Sequence, residues 1–216
     1  MMGDRDYRSL IKNAIDSLGR ELDAQIDAAD NSTMHLEEAV GCLRRAYYDR
    51  RDPLDQERQG FSELLSGLLR KLGHGAEQAS YDIGGLTLKG NADMLVDDAV
   101  ILFRPAAKPM ENPQAGDLLY LNACLWMYNK IDGIIVYITG DRRESSFSLT
   151  RNKRMFEETV RRVRVLSDLL GGDKAPILEP SSDCEGCQYY QRCYTKKKWS
   201  KQVTLANMLG LDKGPD

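Results

Sequence analysis

Cys184, Cys187 and Cys193 fall within ten residues near the end of the 216-residue chain, spaced C-x2-C-x5-C. Thiols at that density either bind soft metals or pair as disulfides. Five cysteines is an odd number, and the charged N-terminus, MMGDRDYRSL, lacks the apolar stretch of a signal peptide. A disulfide framework is therefore a poor explanation, and metal binding is the better one. A tetrahedral ion or a cubane cluster needs a fourth thiolate. Cys124 lies in LNACLWMY, an apolar stretch that reads as a buried helix, where a cysteine behaves as a small hydrophobe. Cys42 lies in GCLRRAYYDRR, where arginines favour a thiolate and an anionic cluster. The expected ligand set is Cys42, Cys184, Cys187 and Cys193, holding a 4Fe-4S cluster. Zinc competes for four thiolates, but structural zinc sites usually join two short cysteine pairs rather than one remote cysteine and a knot.

Such a ligand set needs elements to carry it. Leu10, Ile11, Ala14, Ile15, Leu18, Leu22 and Ile26 form an apolar stripe at helical spacing, which predicts a long amphipathic helix over 5–29. Asp30-Asn31-Ser32-Thr33 breaks it and offers the N-cap of a second helix, which carries Cys42 and stops at Asp52-Pro53. A third helix is expected over about 56–72, ending at Gly73-His74-Gly75. The segment YDIGGLTLKGNADMLVDDAVILFRP reads as a hairpin or three-stranded meander turning at Asp97-Asp98. A helix over 117–129, a buried central strand over 131–141, a strand over 145–150 and a basic helix over 152–170 complete the order. The pattern predicts an α/β domain with a mixed central sheet flanked by helices.

Hydrophobic residues make up 42% of the chain and charged residues 29%, with a net charge of −3. The mean hydropathy is −0.49. No apolar run reaches the roughly 18–20 residues of a membrane span, so a soluble cytoplasmic protein is expected. The net acidity argues against coating nucleic acid by bulk charge. Basic clusters at 142–164 and 196–201 could still meet a phosphate backbone locally, although a solvated helix face is the better reading of each one taken singly.

Several segments together resemble the CRISPR-associated RecB-like exonucleases, the fourth Cas family of the PD-(D/E)xK superfamily. They are GCLRRAYYDRR, GNADMLVDDAVILFRP, DLLYLNACLWMYNK, GIIVYITGDRRESSFSLT and the knot DCEGCQYYQRC. The resemblance spans about residues 31–195. It implies three parts: an N-terminal helix (1–30), a RecB-like domain with an iron–sulfur-stapled helical lobe (31–195), and a basic tail (196–216). Nucleases of this kind use a divalent metal, Mg or Mn, held by hard oxygen ligands.

The family pattern supplies a His from an early helix, an Asp on one strand and Glu-x-Lys on the next. Asp93 matches the Asp, but Leu102 stands for the Glu and Arg104 for the Lys. Leucine cannot bind a metal, and arginine cannot give up its proton to act as a base. The helix GFSELLSGLL holds no His, and Tyr120 and Cys124 stand at the usual Gln-x-x-x-Tyr. Asp93 is thus a catalytic remnant, and the resemblance implies a DNA-binding protein for single strands or ends with nuclease activity lost or impaired. Arg44, Arg45, Arg142, Arg143, Arg151 and Arg154 would line the groove, with Tyr47 and Tyr48 stacking on bases. The alternatives are an active exonuclease with displaced acids, or an adaptor subunit of a complex of CRISPR or DNA-repair proteins.

Overall fold

The computed structural model describes residues 26–54 and 76–194, which fall into two compact units, one running to Glu179 and one starting at Pro180. The helices expected over 5–29 and 56–72 and the basic tail 196–216 lie outside the described residues. Only 26–29 of the first is described, and it is loop and turn.

The first unit begins with β1 (Thr33–His35), α1 (Leu36–Val40) and α2 (Leu43–Arg51). The expected second helix is therefore three pieces. Asp30 Oδ1 accepts from Ser32 N (2.8 Å) and Thr33 N (3.1 Å), which sets up a turn leading into a strand. His35 is the N-cap of α1, in a capping box with Glu38. Gly41 ends α1, and Cys42 becomes the N-cap of α2 rather than a mid-helix residue.

Two hairpins follow, β2 (Ala79–Asp82) with β3 (Thr87–Gly90), and β4 (Met94–Val96) with β5 (Ala99–Ala106). Next come α3 (Ala115–Met127), β6 (Asp132–Thr139), β7 (Glu144–Thr150) and α4 (Lys153–Gly171). The meander expectation is corrected here, because the two hairpins belong to different sheets. β1-β3-β2 form one mixed sheet and β4-β5-β6-β7 another, with β5 and β6 parallel at its centre. Asn91-Ala92-Asp93 is the link between them, so Asp93 sits in a connection and not on a strand.

The core lies between the four-stranded sheet and the helices α3 and α4. Val100 and Leu102 on β5 and Ile135 and Tyr137 on β6 face inward, joined by Leu121, Cys124 and Leu125 of α3 and Val163, Leu166 and Leu170 of α4. The alternation of these strand residues is the period of two that a half-covered sheet requires. Helix α3 lies so close to β6 that a Cβ on Gly133 would come within 2.7–2.9 Å of the Leu121 side chain. The start of α4 is locked to α3 by Asn122, which accepts from Asn152 N (2.7 Å) and donates to Asn152 O (3.0 Å). Among the described residues no helix is long and apolar enough to cross a membrane.

Among the described residues the second unit holds a 3-10 turn (Ser182–Cys184) and a short helix, α5 (Tyr190–Tyr194).

Candidate functional site

The parallel strands β5 and β6 end side by side, with Arg104 opposite Tyr137 in the register. The connection carrying Asp93 and the first turns of α1 and α3 meet at that end. Asp93 is buried, 3% exposed. Its Oδ2 accepts from Phe103 N (2.8 Å) and from Arg104 Nη1 (3.2 Å). Arg104 reaches the other way with Nε to Asp117 Oδ1 (3.0 Å), and its Nη1 also donates to Phe103 O (2.9 Å). The guanidinium lies over the Tyr120 ring, 5.0 Å from its centroid. Burial works against this charge, but the carboxylates of Asp93 and Asp117 outweigh it and raise the Arg104 pKa.

A second tier of bonds holds the first. Tyr137 donates to Asp117 Oδ2 (2.6 Å) and accepts from Gln114 N (2.9 Å). Burial, followed by the bond to Asp117, pushes the Tyr137 phenol upward. The Tyr120 hydroxyl lies 2.9 Å from Glu37 Oε1 and 3.0 Å from Asn91 O, and burial likewise raises its pKa well above the usual value. Cys124 is fully buried behind Tyr120, with Sγ 3.8 Å from Asn91 O, and burial raises its thiol pKa. The expectation of a packed apolar cysteine holds in its surroundings.

Glu37 is legible in the sequence only as a first-turn acid of its helix, and Asp117 not at all. The position of each in the first turn, where a carboxylate is favoured, is the signal that points to them. Nothing in the sequence indicated which of those carboxylates would converge on Arg104.

A leucine holds the position that the resemblance gives to a second acid. Leu102 is fully buried on the same face of β5 as Arg104, one pleat further into the core. Asp97 and Asp98 sit at the opposite end of the β4–β5 hairpin beside Lys130, and Lys108 and Glu111 are exposed beyond β5. His35 is buried at the N-cap of α1, and His74 lies outside the described residues. Among the described residues no three His, Cys, Asp or Glu side chains come together to hold a metal ion. A hard dication does not fit beside Asp93, because a permanent cation already shares that carboxylate.

The expected nucleic-acid contacts are scattered. Tyr47 is buried with its hydroxyl on Asp173 Oδ1 (3.1 Å), which rules out base stacking by that ring. Arg44 donates to Pro176 O (2.6 Å) and to Tyr48 OH (3.1 Å), and stacks on the Tyr48 ring. Arg45 is exposed beside Asp49 (3.6 Å). Arg151 lies over Trp126 (4.8 Å to the centroid), and Arg154 is exposed on the first turn of α4. Arg142, at φ 66°, and Arg143, paired with Asp141 (2.6 Å), form the β6–β7 turn. Arg151 follows the far end of β7, roughly 20 Å away at about 3.3 Å per strand residue. Arg142 and Arg143 thus lie apart from Arg151, and they share the sheet end with Arg104.

None of the five cysteines forms a disulfide. Cys42 is exposed in the first unit, in the lining of a cavity of about 360 Å³ with Glu37, Glu38, Arg45 and Asp49. In the second unit Cys184 ends the 3-10 turn, Cys187 N donates to Cys184 O (3.2 Å), and Cys193 lies within α5. Ser181 N donates to Cys184 Sγ (3.4 Å), and that bond, followed by one from Tyr194, lowers the Cys184 pKa. A depressed thiol suits a soft-metal ligand chemically, although among the described residues the three cysteines of this unit are not gathered as a ligand set.

The architecture is an α/β fold with mixed sheets, and it is shared with a solved structure. The crystal structure of SSO0001 superposes with a TM-score of 0.65 at 19% identity, covering 87% of this chain and 96% of that one. An alkaline exonuclease from Laribacter hongkongensis, LHK-Exo, gives a TM-score of 0.47 at 11% identity over 68% of this chain and 91% of that one. A phage-related exonuclease from Haemophilus somnus 129PT gives 0.46 at 11% identity over 72% and 99%. No protein-family model matches the sequence, and no curated protein matches it significantly.

Proposed function

We propose that this chain is a DNA-binding relative of the CRISPR-associated RecB-like exonucleases that holds single strands or ends without cutting them. The observation that carries the reading is the ion pair between Arg104 and Asp93, with Leu102 buried where a second acid would be needed. A metal-dependent phosphodiester cut needs hard oxygen ligands to polarise the phosphate and to generate hydroxide. Here the one matching carboxylate is tied to a guanidinium and a backbone N–H. Arg142 and Arg143, exposed at the same sheet end, supply the phosphate contacts.

In the same proposal Cys42, Cys184, Cys187 and Cys193 hold a 4Fe-4S cluster whose role is structural. A brown preparation with a broad band near about 400 nm, lost in Cys187→Ser, is the expected result. A colourless preparation containing zinc would count against it.

The functional test is fluorescence anisotropy with labelled single-stranded and frayed DNA, run beside a nuclease assay in Mg and in Mn. Binding should weaken steeply with salt, and the DNA should remain intact. Degradation that disappears in Asp93→Ala would overturn the non-cutting reading. Absence of binding at low salt would leave the adaptor role among CRISPR or DNA-repair proteins.

A further inference from the structure

We propose that the outer edge of β7 is a self-association surface, on which β7 of a second copy of this chain pairs antiparallel about a two-fold axis at Ser148. The inference goes beyond the proposed function and does not rest on it.

β7 ends the sheet order β4-β5-β6-β7, and among the described residues only its β6 side is paired. Thr139 N donates to Arg143 O (2.9 Å), and Arg151 N donates to Ile131 O (2.8 Å). The main chain of the odd-numbered residues therefore turns toward β6. In an antiparallel ladder the residues between them turn the other way. The N–H and C=O groups of Ser146, Ser148 and Thr150 thus point off the sheet, and all three residues are exposed.

Natural sheets blunt such an edge with a short strand, a lysine, a proline or a bulge. The other sheet edges here are short: β1 and β4 have three residues each and β2 has four. β7 has seven residues, ESSFSLT, with no basic residue, no proline and unbroken register against β6.

A second copy fits this edge better than a foreign peptide does. Edge-binding peptides are selected through side-chain pockets beside the strand. β7 lines neither the cavity at Cys42 nor the one between Tyr81 and α4. The strand is instead complementary to itself. Centred on Ser148, an antiparallel copy sets Ser146 against Thr150 and Ser148 against its own symmetry mate. Every outward main-chain group then meets another, for about six hydrogen bonds between the copies. On the helix side Phe147 meets Leu149, an aromatic–aliphatic pair made twice. The one charged residue of the strand, Glu144, falls opposite Asn152, so no like charges oppose each other between the two strands. At about 3.3 Å per residue the ladder is about 23 Å long. A single strand pair of that length stays below the roughly 1,000 Å² of a stable interface, so the dimer should be weak and concentration-dependent.

The test is sedimentation equilibrium of the full chain from about 1 µM to about 500 µM. Wild type should pass from monomer to dimer in that range. Ser148→Lys and Ser148→Glu each set like charges directly opposite one another. Each should weaken the dimer about tenfold or more at low salt, and less at high salt. Residue 148 is exposed and its main chain does not bond β6, so the melting temperature of either variant should stay near that of wild type. An equimolar mixture of the two should recover the dimer, because opposite charges then meet. Ser148→Pro removes the outward N–H and leaves the β6 ladder in place, and should abolish association.

If Ser148→Pro does not fold, the two charge variants decide the matter alone. A wild type that stays monomeric throughout overturns the inference. A dimer that both charge variants keep places the contact elsewhere and overturns it too. So does a loss of the dimer in both that the mixture fails to restore.

Discussion

Two buried arginines show how differently the same side chain can serve one fold. Arg50, whose side chain is 2% exposed, bonds both oxygens of Glu38 (2.5 and 2.7 Å) and the backbone carbonyls of Asp30 (2.6 Å) and Thr33 (2.8 Å). One charge meets one charge, and the remaining donors are absorbed by main chain. Arg104 is 21% exposed and faces two carboxylates, with a third held by Tyr120. The first arrangement is electrically closed and serves as a strut for the turn before α1. The second joins acids from two different elements at the end of the sheet, and part of its side chain meets solvent. Burial alone does not separate the two roles, whereas the elements that supply the acids do.

The contrast can be broken experimentally, and the largest effect should come from the strut. Arg50→Ala leaves Glu38 buried and unpaired and removes the bonds to the Asp30 and Thr33 carbonyls, so a loss of about 3–5 kcal/mol in urea unfolding is expected. A loss under about 1 kcal/mol would show that water satisfies Glu38 and that the pair is not closed. Arg104→Ala should cost less, about 2–3 kcal/mol, because Asp93 keeps its bond from Phe103 N and Asp117 is partly exposed. Equal losses for the two arginines would erase the distinction drawn here.

Tyr137→Phe removes the donor to Asp117 and the acceptor of Gln114 N, at an expected cost of about 1–2 kcal/mol. It should also loosen the geometry of Arg104, read as faster exchange of the Phe103 amide. The smallest effect is a pH dependence. Burial lowers the His35 pKa in the folded state. The unfolded chain therefore takes up the proton first, so stability is fully present above about pH 6.5 and declines as the pH falls below it. His35→Gln should flatten the melting temperature over that acid window, and an unchanged slope would show that His35 does not titrate.

Much of the frame was legible from residue patterns. The β-branched run 131–141, the Asp97-Asp98 turn and the Gly171-Gly172 stop fall where β6, the β4–β5 turn and the end of α4 are found. The division of strands 79–106 between two sheets was not legible, because the polar link Asn91-Ala92-Asp93 looks the same in sequence whether a chain turns within a sheet or leaves it. Leu102 and Arg104 were legible as the residues that stand where the resembled pattern has a Glu and a Lys. That Asp117 would close the far side of Arg104 depends on the angle of α3 over β5, which the approach of Leu121 to Gly133 determines. Tyr47 was misplaced for a related reason. Its neighbours Tyr48 and Arg44 share the same short helix, and only packing against the loop after α4 decides which ring turns inward.

The pleat of β5 places Leu102 and Arg104 on one face, two positions apart, and this bears on how such a chain could change over time. An acid placed at 102 while Arg104 stays would add a carboxylate to a fully buried position beside a single guanidinium. Exchanging Arg104 alone would remove the cation that bridges Asp93 and Asp117. Each single exchange unbalances what the other position faces, so substitutions at 102 and 104 are tied together and their costs should not add.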